Sequence, residues 1–238
     1  MKIRDKERLL AFIPARGGSK RFPKKNIAKF LEYPLIYYPI KEALKSKIFF
    51  DVIVSTDDNK ILSIAKQFGA STILRSKKNS SDTAHELEAC REYFRILKKQ
   101  NKPLPTFFCV IYPTAVLIKS KDFKYSYNLI KNKKNVDVVM GVSMFNYHPY
   151  KALAVSKKGY LTPIFKKKYS KRSQTYDEMY ASNGTFIWHR TKSFLEKKYL
   201  GHYAENLIGY KINSKVPMDI DFKKDLDYLN DFFKPKKK

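Results

Sequence analysis

The sequence predicts an α/β fold: a mostly parallel β-sheet covered by helices on both faces, and so three layers. Two observations carry this. Short, continuously apolar runs alternate with helical segments along most of the 238 residues. The stretches "PARGGSK", "STDD" and "YPTA" also sit where such runs end. In parallel sheets ligands bind beyond the carboxyl ends of the strands, so stretches scattered in sequence converge in space.

Leu9 to Pro14 reads as a buried strand, because a continuous apolar run meets a turn signal. The pattern turns helical from Pro34 or Pro39 to about Ser46, with Pro39 setting the start or leaving a kink. Asp51–Thr56 is a second buried strand. Asp57 or Asp58 caps a helix reaching Phe68, with Gly69 just beyond its end. "STILR" is a short third strand, followed by a polar loop from Ser76 to Asp82. Residues 83–100 form an amphipathic helix, and Thr106–Tyr112 a fourth, wholly apolar strand. Lys121 to Lys131 reads as a helix and Val136 to Met144 as a strand. The rhythm breaks between Phe145 and Tyr180, where Pro149, Pro163 and "KKKYSKR" mark a small β-containing excursion. It resumes with the strand "GTFIWHR", a helix from Thr191 to Lys198, the strand "LIGYKI" and a closing helix from Phe222 to Phe233. No repeat or linker divides the chain. Residues 1–238 are therefore read as one domain, with 145–180 as the excursion and 234–238 as a disordered basic tail.

Composition narrows the function. Met1 to Leu10 is too charged for a secretory signal, and no apolar run approaches the roughly 18 residues of a membrane span. Cys90 and Cys109 alone give no disulfide framework and no metal cluster. A cytoplasmic protein with no membrane partner is expected. The net charge of +27 invites a nucleic-acid reading, which is the rival from a different class. Of the 49 basic residues, however, 40 are Lys and 9 are Arg, spread through every segment. No zinc finger or RNP-type aromatic motif accompanies them. A solvated lysine-rich surface with no nucleic-acid partner is the preferred reading.

The informative stretch is "FIPARGGSKRFPKKN", Phe12 to Asn26. Gly17 and Gly18 give backbone freedom at a strand exit, so that successive N–H groups can face one anion. Arg16, Lys20, Arg21, Lys24 and Lys25 can neutralise a triphosphate and stabilise a leaving pyrophosphate. The spacing is neither a Walker A loop nor a dinucleotide G-x-G-x-x-G motif.

The string "IPARGGSKRFPKKN" resembles the N-terminal signature of the CMP-sugar synthetases, the cytidylyltransferases that activate sialic acid and related nine-carbon keto sugars. "VIVSTDD", "LRSKKNSSDT" and "YPTAVL" are similar to the family's second strand, arginine loop and proline–threonine segment. "HPYKAL", "RSQTYDEMYASNGTFIW" and "MDIDFKKDLDYL" resemble its later blocks, in the correct order. The resemblance implies a Rossmann-like nucleotidyltransferase that converts CTP and a nonulosonic acid to CMP-sugar and pyrophosphate. It also implies a homodimer in which residues 145–180 cross to the partner. "YPTA" and "RSQ" lean toward pseudaminic acid, "NGTFIW" and "HPYK" toward sialic or legionaminic acid; the enzyme activating the eight-carbon sugar KDO is the alternative within the class.

Site residues carry over by position. Ala15, Arg16, Gly17, Gly18 and Ser19 form the triphosphate loop. Lys25 and Asn26 match the pair near the ribose and phosphates, with Lys25 and Arg16 as electrostatic catalysts. Arg75 matches the arginine near the base and phosphates, and Ser81 falls in the same neighbourhood. Tyr112 stands where many sialic acid enzymes have Gln. Lys151 and Arg172 match basic residues associated with the acidic sugar, and Gln174, Tyr180 and Asn183 lie in the block that builds its pocket. Trp188 is read as a core aromatic.

Asp219 and Asp221 stand apart because the residues themselves speak. In an extended segment, side chains at i and i+2 share a face, so "DID" presents two carboxylates side by side. They repel unless a cation or proton relieves them, and Mg²⁺ takes oxygen ligands. The pair reads as a Mg²⁺ platform, a role the resemblance also assigns, with Asp219 among the catalytic groups. His85, His148, His189 and His202 show no metal-ligand spacing; His148 is placed near the sugar pocket and the others are read as structural or surface residues.

Overall fold

The computed structural model describes residues 7–81, 84–196, 202–212 and 219–234. Its centre is a seven-stranded sheet built from β1 (Leu9–Pro14), β4 (Asp51–Thr56), β5 (Ser71–Leu74), β6 (Phe107–Ile111), β7 (Val138–Met144), β10 (Tyr180–Arg190) and β11 (Leu207–Lys211). The order across the sheet is β11-β7-β10-β6-β1-β4-β5. β1 runs parallel to both β4 and β6, pairing Ile13 with Val54 and Phe12 with Val110. β4–β5 and β7–β11 are also parallel. Only β10 opposes its neighbours, β6 and β7, so the expected mostly parallel sheet is present.

The continuous apolar strands follow from cover on both faces. Leu9, Ala11 and Ile13 pack with residues of α1 (Tyr37–Ser46), α2 (Asn59–Gln67) and α4 (Ser120–Asn132). Leu10 and Phe12 face the other way, onto α3 (Glu86–Lys99) and α6 (Thr191–Glu196). Alternate residues of one strand thus feed two cores. Trp188 is wholly buried, stacked on Phe49 at 5.3 Å, and its Nε1–H donates to Ser126 Oγ at 3.0 Å. The core reading of that residue holds.

Local signals set the element ends. Asp58, the second of the two candidate caps, accepts the Lys60 and Ile61 amides at 2.7 and 3.1 Å and starts α2. Gly69 follows with φ +86°, the left-handed conformation that ends a helix. α1 begins at Tyr37, between the two prolines considered for its start; Pro39 sits in the first turn, where a missing N–H costs nothing. α3 begins at Glu86, because the His85 side chain accepts the Leu87 amide and caps the helix there. β10 starts four residues earlier than "GTFIWHR", its first part pairing with β7 across an irregularity between Ser182 and Ile187.

The short hairpin β2 (Lys29–Phe30) and β3 (Tyr33–Pro34) has too few residues for periodicity to reveal. The excursion contains a second hairpin, β8 (Leu153–Val155) with β9 (Leu161–Pro163), and a one-turn helix α5 (Lys166–Tyr169). The closing helix α7 (Lys223–Phe233) buries Leu226 and Leu229 with Ile220, Phe22, Phe30 and Leu35. Of the tail 234–238, residues 235–238 lie outside the described residues, as do the last two residues of the helix expected to reach Lys198. Among the described residues no helix is long and apolar enough to cross a membrane.

Replacing Asp58 by Ala should destabilise the fold by about 1 kcal/mol, the usual cost of a lost N-cap. Denaturant unfolding of both proteins measures it; an unchanged midpoint would mean that the cap does not hold the β4–α2 turn.

Candidate active site

A cleft of about 750 Å³ opens at the carboxyl ends of β1 and β6. Its first wall is the opening loop. Ala15 is buried and extends the β1–β4 ladder by one bond, donating its N–H to Ser55 O at 2.8 Å. Gly17 N–H donates to Asp57 Oδ1 at 2.9 Å. A Cβ on Gly17 would lie 2.9 Å from the Asp58 side chain, so only glycine lets the loop lie against the β4–α2 turn. This corrects one expectation: the Gly17 amide serves Asp57 rather than an anion. Arg16, Ser19, Lys20, Arg21, Lys25 and Asn26 line the cleft, while Ala15, Gly17 and Gly18 do not border it.

Lys25 is aimed by an uncommon backbone. Lys24 holds φ 56° without being glycine and launches a single 3-10 turn over Lys25–Ile27. The Lys25 ammonium then donates to Ile220 O at 2.8 Å and lies 3.5 Å from Asp221 Oδ1. Asn26 is buried, its Nδ2 donating to Arg16 O at 2.9 Å, and so braces the loop from behind.

Arg75 is buried at the end of β5, donating to Ser55 O at 2.7 Å and Ser55 Oγ at 3.2 Å, and still borders the cleft. Burial lowers its pKa, with Asp57 opposing that shift. Ser81 contributes its carbonyl, which accepts from Arg16 Nη1 at 3.3 Å. Tyr112, beyond β6, donates its hydroxyl to Glu86 Oε1 at 2.7 Å. His202 Nε2 lies 2.9 Å from the same oxygen, and its Nδ1 lies 3.0 Å from Nε2 of the fully buried His189. Burial, then the His202 charge, hold His189 neutral. Burial would raise the Glu86 carboxyl, but the His202 bond and charge, with the Tyr112 hydroxyl, bring it down from 4.5 to about 2. Burial and the Glu86 charge push the Tyr112 hydroxyl far up, so it remains a donor. His85, Glu86 and His202 do gather potential ligand atoms within 4.8 Å, which their sequence spacing gave no hint of.

Asp219 and Asp221 form the opposite wall. Ile220 between them is fully buried, and the alternation points both carboxylates into the cleft, as an extended "DID" requires. The Asp221 and Phe222 amides donate to Asp225 Oδ2 at 3.0 and 2.7 Å, which fixes the segment as the cap of α7. Burial and the neighbouring Asp221 charge raise the Asp219 carboxyl above its usual 3.8. Gly184 makes room for it: φ is +63°, and a Cβ there would stand 2.9–3.2 Å from the Asp219 carboxylate.

The residues expected for the sugar divide differently. Tyr112 borders the cleft. Asn183 is buried and turned inward, donating to Ser143 Oγ at 3.1 Å and accepting from Thr185 Oγ1 at 2.6 Å. Lys151 is tethered inside the excursion, donating to the Tyr169 and Lys171 carbonyls at 2.6 and 3.0 Å. His148, expected near the sugar pocket, lies in the same excursion, its Nε2 3.0 Å from Asp177 O. Arg172 and Gln174 are exposed there, and the Tyr180 hydroxyl donates to Glu178. Apart from Tyr112, none of these borders the cleft within one chain.

Residues 10–236 match the cytidylyltransferase family. The chain belongs to it. Pseudaminic acid cytidylyltransferase of Campylobacter jejuni is 32% identical over 227 residues, covering 94% of this chain and 96% of that protein. N-acylneuraminate cytidylyltransferase of Escherichia coli is 27% identical over 221 residues, 92% of this chain and 51% of that protein. Among solved structures, CMP-2-keto-3-deoxy-manno-octonic acid synthetase in complex with CTP superposes with a TM-score of 0.68. It covers 94% of this chain at 16% identity, a likeness of fold.

For this cytidylyltransferase, sequence reasoning missed Glu86, His202 and Gly184. Glu86 and His202 are 116 residues apart and belong to no local pattern. Gly184 stood in plain view in "NGTF", but its purpose needs the Asp219 carboxylate beside it.

A depressed carboxyl contributes stability that is complete above its unfolded value and is lost as pH falls through its folded value. For Glu86 that window runs from about 4.5 down to about 2. The contribution is at most on the order of 3 kcal/mol. Glu86→Gln should therefore lower stability near neutrality and flatten its acid dependence. Thermal unfolding of both proteins from neutral to acid pH provides the comparison, and parallel curves would contradict the assignment.

Proposed function

We propose that this cleft transfers the cytidylyl group of CTP to a nonulosonic acid, releasing pyrophosphate, and that the acid is pseudaminic acid. One observation carries the reading: the cationic loop and the Asp219–Asp221 pair, far apart in sequence, close on one cleft through the Lys25–Ile220 contact. The two Campylobacter jejuni relatives named for pseudaminic acid support the choice of acid, since they match nearly end to end and at higher identity than the N-acylneuraminate enzyme of Escherichia coli.

Arg16, Lys20 and Lys25 offset the charge of the triphosphate, and Ser19 adds a hydroxyl donor beside them. The sugar hydroxyl attacks the α-phosphorus in line; the new O–P bond forms as the bond to the β-phosphate oxygen breaks. Lys25, whose ammonium ties the two walls together, holds charge that grows on the phosphates as pyrophosphate leaves.

Asp219 and Asp221 fit a hard divalent cation. They are all-oxygen donors on one face, the Asp219 carboxyl is raised by burial and by Asp221, and Gly184 keeps the space beside it clear. Mg²⁺ held there would compensate phosphate charge and favour the ionised form of an oxygen nucleophile. Asp219→Asn should lower turnover by at least about one to two orders of magnitude while preserving the fold, since a charge-assisted contact is worth roughly 1.5–3 kcal/mol. Pyrophosphate release from CTP and pseudaminic acid, with circular dichroism as the fold control, decides the point; parent-like release with saturating Mg²⁺ would refute the platform.

The acid's own cations are proposed to come from a second copy of the chain. The excursion exposes Val155, Tyr160, Leu161 and Ile164 and carries Arg172 and Gln174 on its surface, away from the cleft of its own chain. A two-fold dimer exchanging this segment would complete each site. Arg172→Ala and Lys25→Ala should each be nearly inactive alone. Unfolded together and refolded as a mixture, they should recover about a quarter of parent activity, because half the dimers are mixed and each holds one intact site. Mixed dimers identified by mass but lacking activity would rule the shared site out.

A further inference from the structure

We infer that Arg21 is a guard on the metal platform: its guanidinium occupies Asp221 until a divalent cation displaces it, and the displaced guanidinium then serves the triphosphate. The inference rests on the reading of Asp219 and Asp221 as a metal platform.

The contact has the geometry of a full occupant. Arg21 Nη1 donates to Asp221 Oδ2 at 2.8 Å and Nη2 to Oδ1 at 2.9 Å, the parallel fork that uses both carboxylate oxygens. A cation seated on Asp221 needs at least one of those oxygens. With the fork in place and the Lys25 ammonium 3.5 Å from Oδ1, a cation has to compete with two positive groups for those oxygens.

Of the two partners, Arg21 is the one that can leave. Asp221 is fixed from below, by buried Ile220 and by the Asp225 carboxylate on its amide. The Arg21 side chain is 60% exposed, and its other described contact is a guanidinium placed 5.4 Å from the Phe222 ring. Arg21 borders the cleft together with Arg16, Ser19 and Lys20, so a guanidinium released from Asp221 stays within reach of the phosphate end.

Charge points the same way. Two carboxylates face Arg21 and Lys25, and these four charges cancel. A divalent cation added alone leaves an excess of two positive charges at the platform. A triphosphate arriving with it absorbs that excess and offers Arg21 new acceptors. Cation and nucleotide thus favour one another through Arg21, and the cation alone is held weakly.

The test uses Mn²⁺ alone, its free fraction read by electron paramagnetic resonance, on the parent and on Arg21→Ala, Arg21→Lys and Asp221→Asn. Arg21→Ala should bind Mn²⁺ about fivefold more tightly than the parent, the scale of one exposed ion pair removed as a competitor. Arg21→Lys keeps the charge but cannot form the fork, and should fall between them. In the absence of metal, Asp221→Asn should bind CTP more tightly than the parent, and adding Arg21→Ala should erase that gain.

Unchanged Mn²⁺ affinity in Arg21→Ala, with binding lost in Asp221→Asn, overturns the guard and leaves the platform standing. Tighter binding in Arg21→Ala with Arg21→Lys identical to the parent also overturns it, because charge alone would then explain the effect. Mn²⁺ binding that Asp221→Asn does not weaken overturns the platform itself.

Discussion

The bond from the Lys25 ammonium to the Ile220 carbonyl joins positions 195 residues apart, and the cleft depends on it. It requires two local conditions. Lys24 must accept a left-handed backbone so that the 3-10 turn points Lys25 across the cleft. Ile220 must be buried among Phe22, Phe30, Leu35 and the α7 leucines, which fixes where its carbonyl lies. Given both, the cationic loop and the acidic pair become two walls of one space. The packing of Ile220 and the Arg21–Asp221 fork bring the walls together, and the bond sets how Lys25 faces the space between them.

The cleft differs in kind from the rest of this strongly basic surface. Elsewhere most of the described lysines are exposed, and their number says little about partners. Here acidic groups are set among the cations, and each has a positional task. Asp57 holds the Gly17 amide, Glu86 gathers Tyr112 and His202, and Asp221 engages Arg21 and Lys25. Fixed opposite charges keep long side chains from the many rotamers open to them in water, so the site meets its ligand already ordered. The local arrangement of charge thus explains more than its net value.

The layered sheet was legible because its signals are local: apolar runs of strand length, an Asp cap before α2, a Gly just past its end. The loop and the "DID" segment were legible as well, since strand exits and i, i+2 alternation place them without tertiary detail. The direction of β10 was not, because a strand's hydrophobic pattern is identical whether it runs up or down. The Glu86–His202–His189 cluster was invisible for a related reason; its members meet only after β6 and β10 pair. The Gly17 amide was misjudged because a glycine-rich loop advertises free donors, while its true acceptor, Asp57, belongs to the next strand's exit.

That reversed strand also has a consequence for synthesis on the ribosome. β1, β4 and β5 are contiguous in the sheet and all made by residue 74, so that half can pair while the chain is still short. β6 and β7 are made next but are not neighbours; the gap between them belongs to β10, which is complete only at Arg190. Until then the emerging chain carries a buried-type apolar strand edge on β6 and another on β7, each of which could zip onto the other or onto a neighbouring chain. The late strand fills that gap and brings Gly184 into place, while the edge strand β11 and the Asp219–Asp221 wall of the cleft are still to be made.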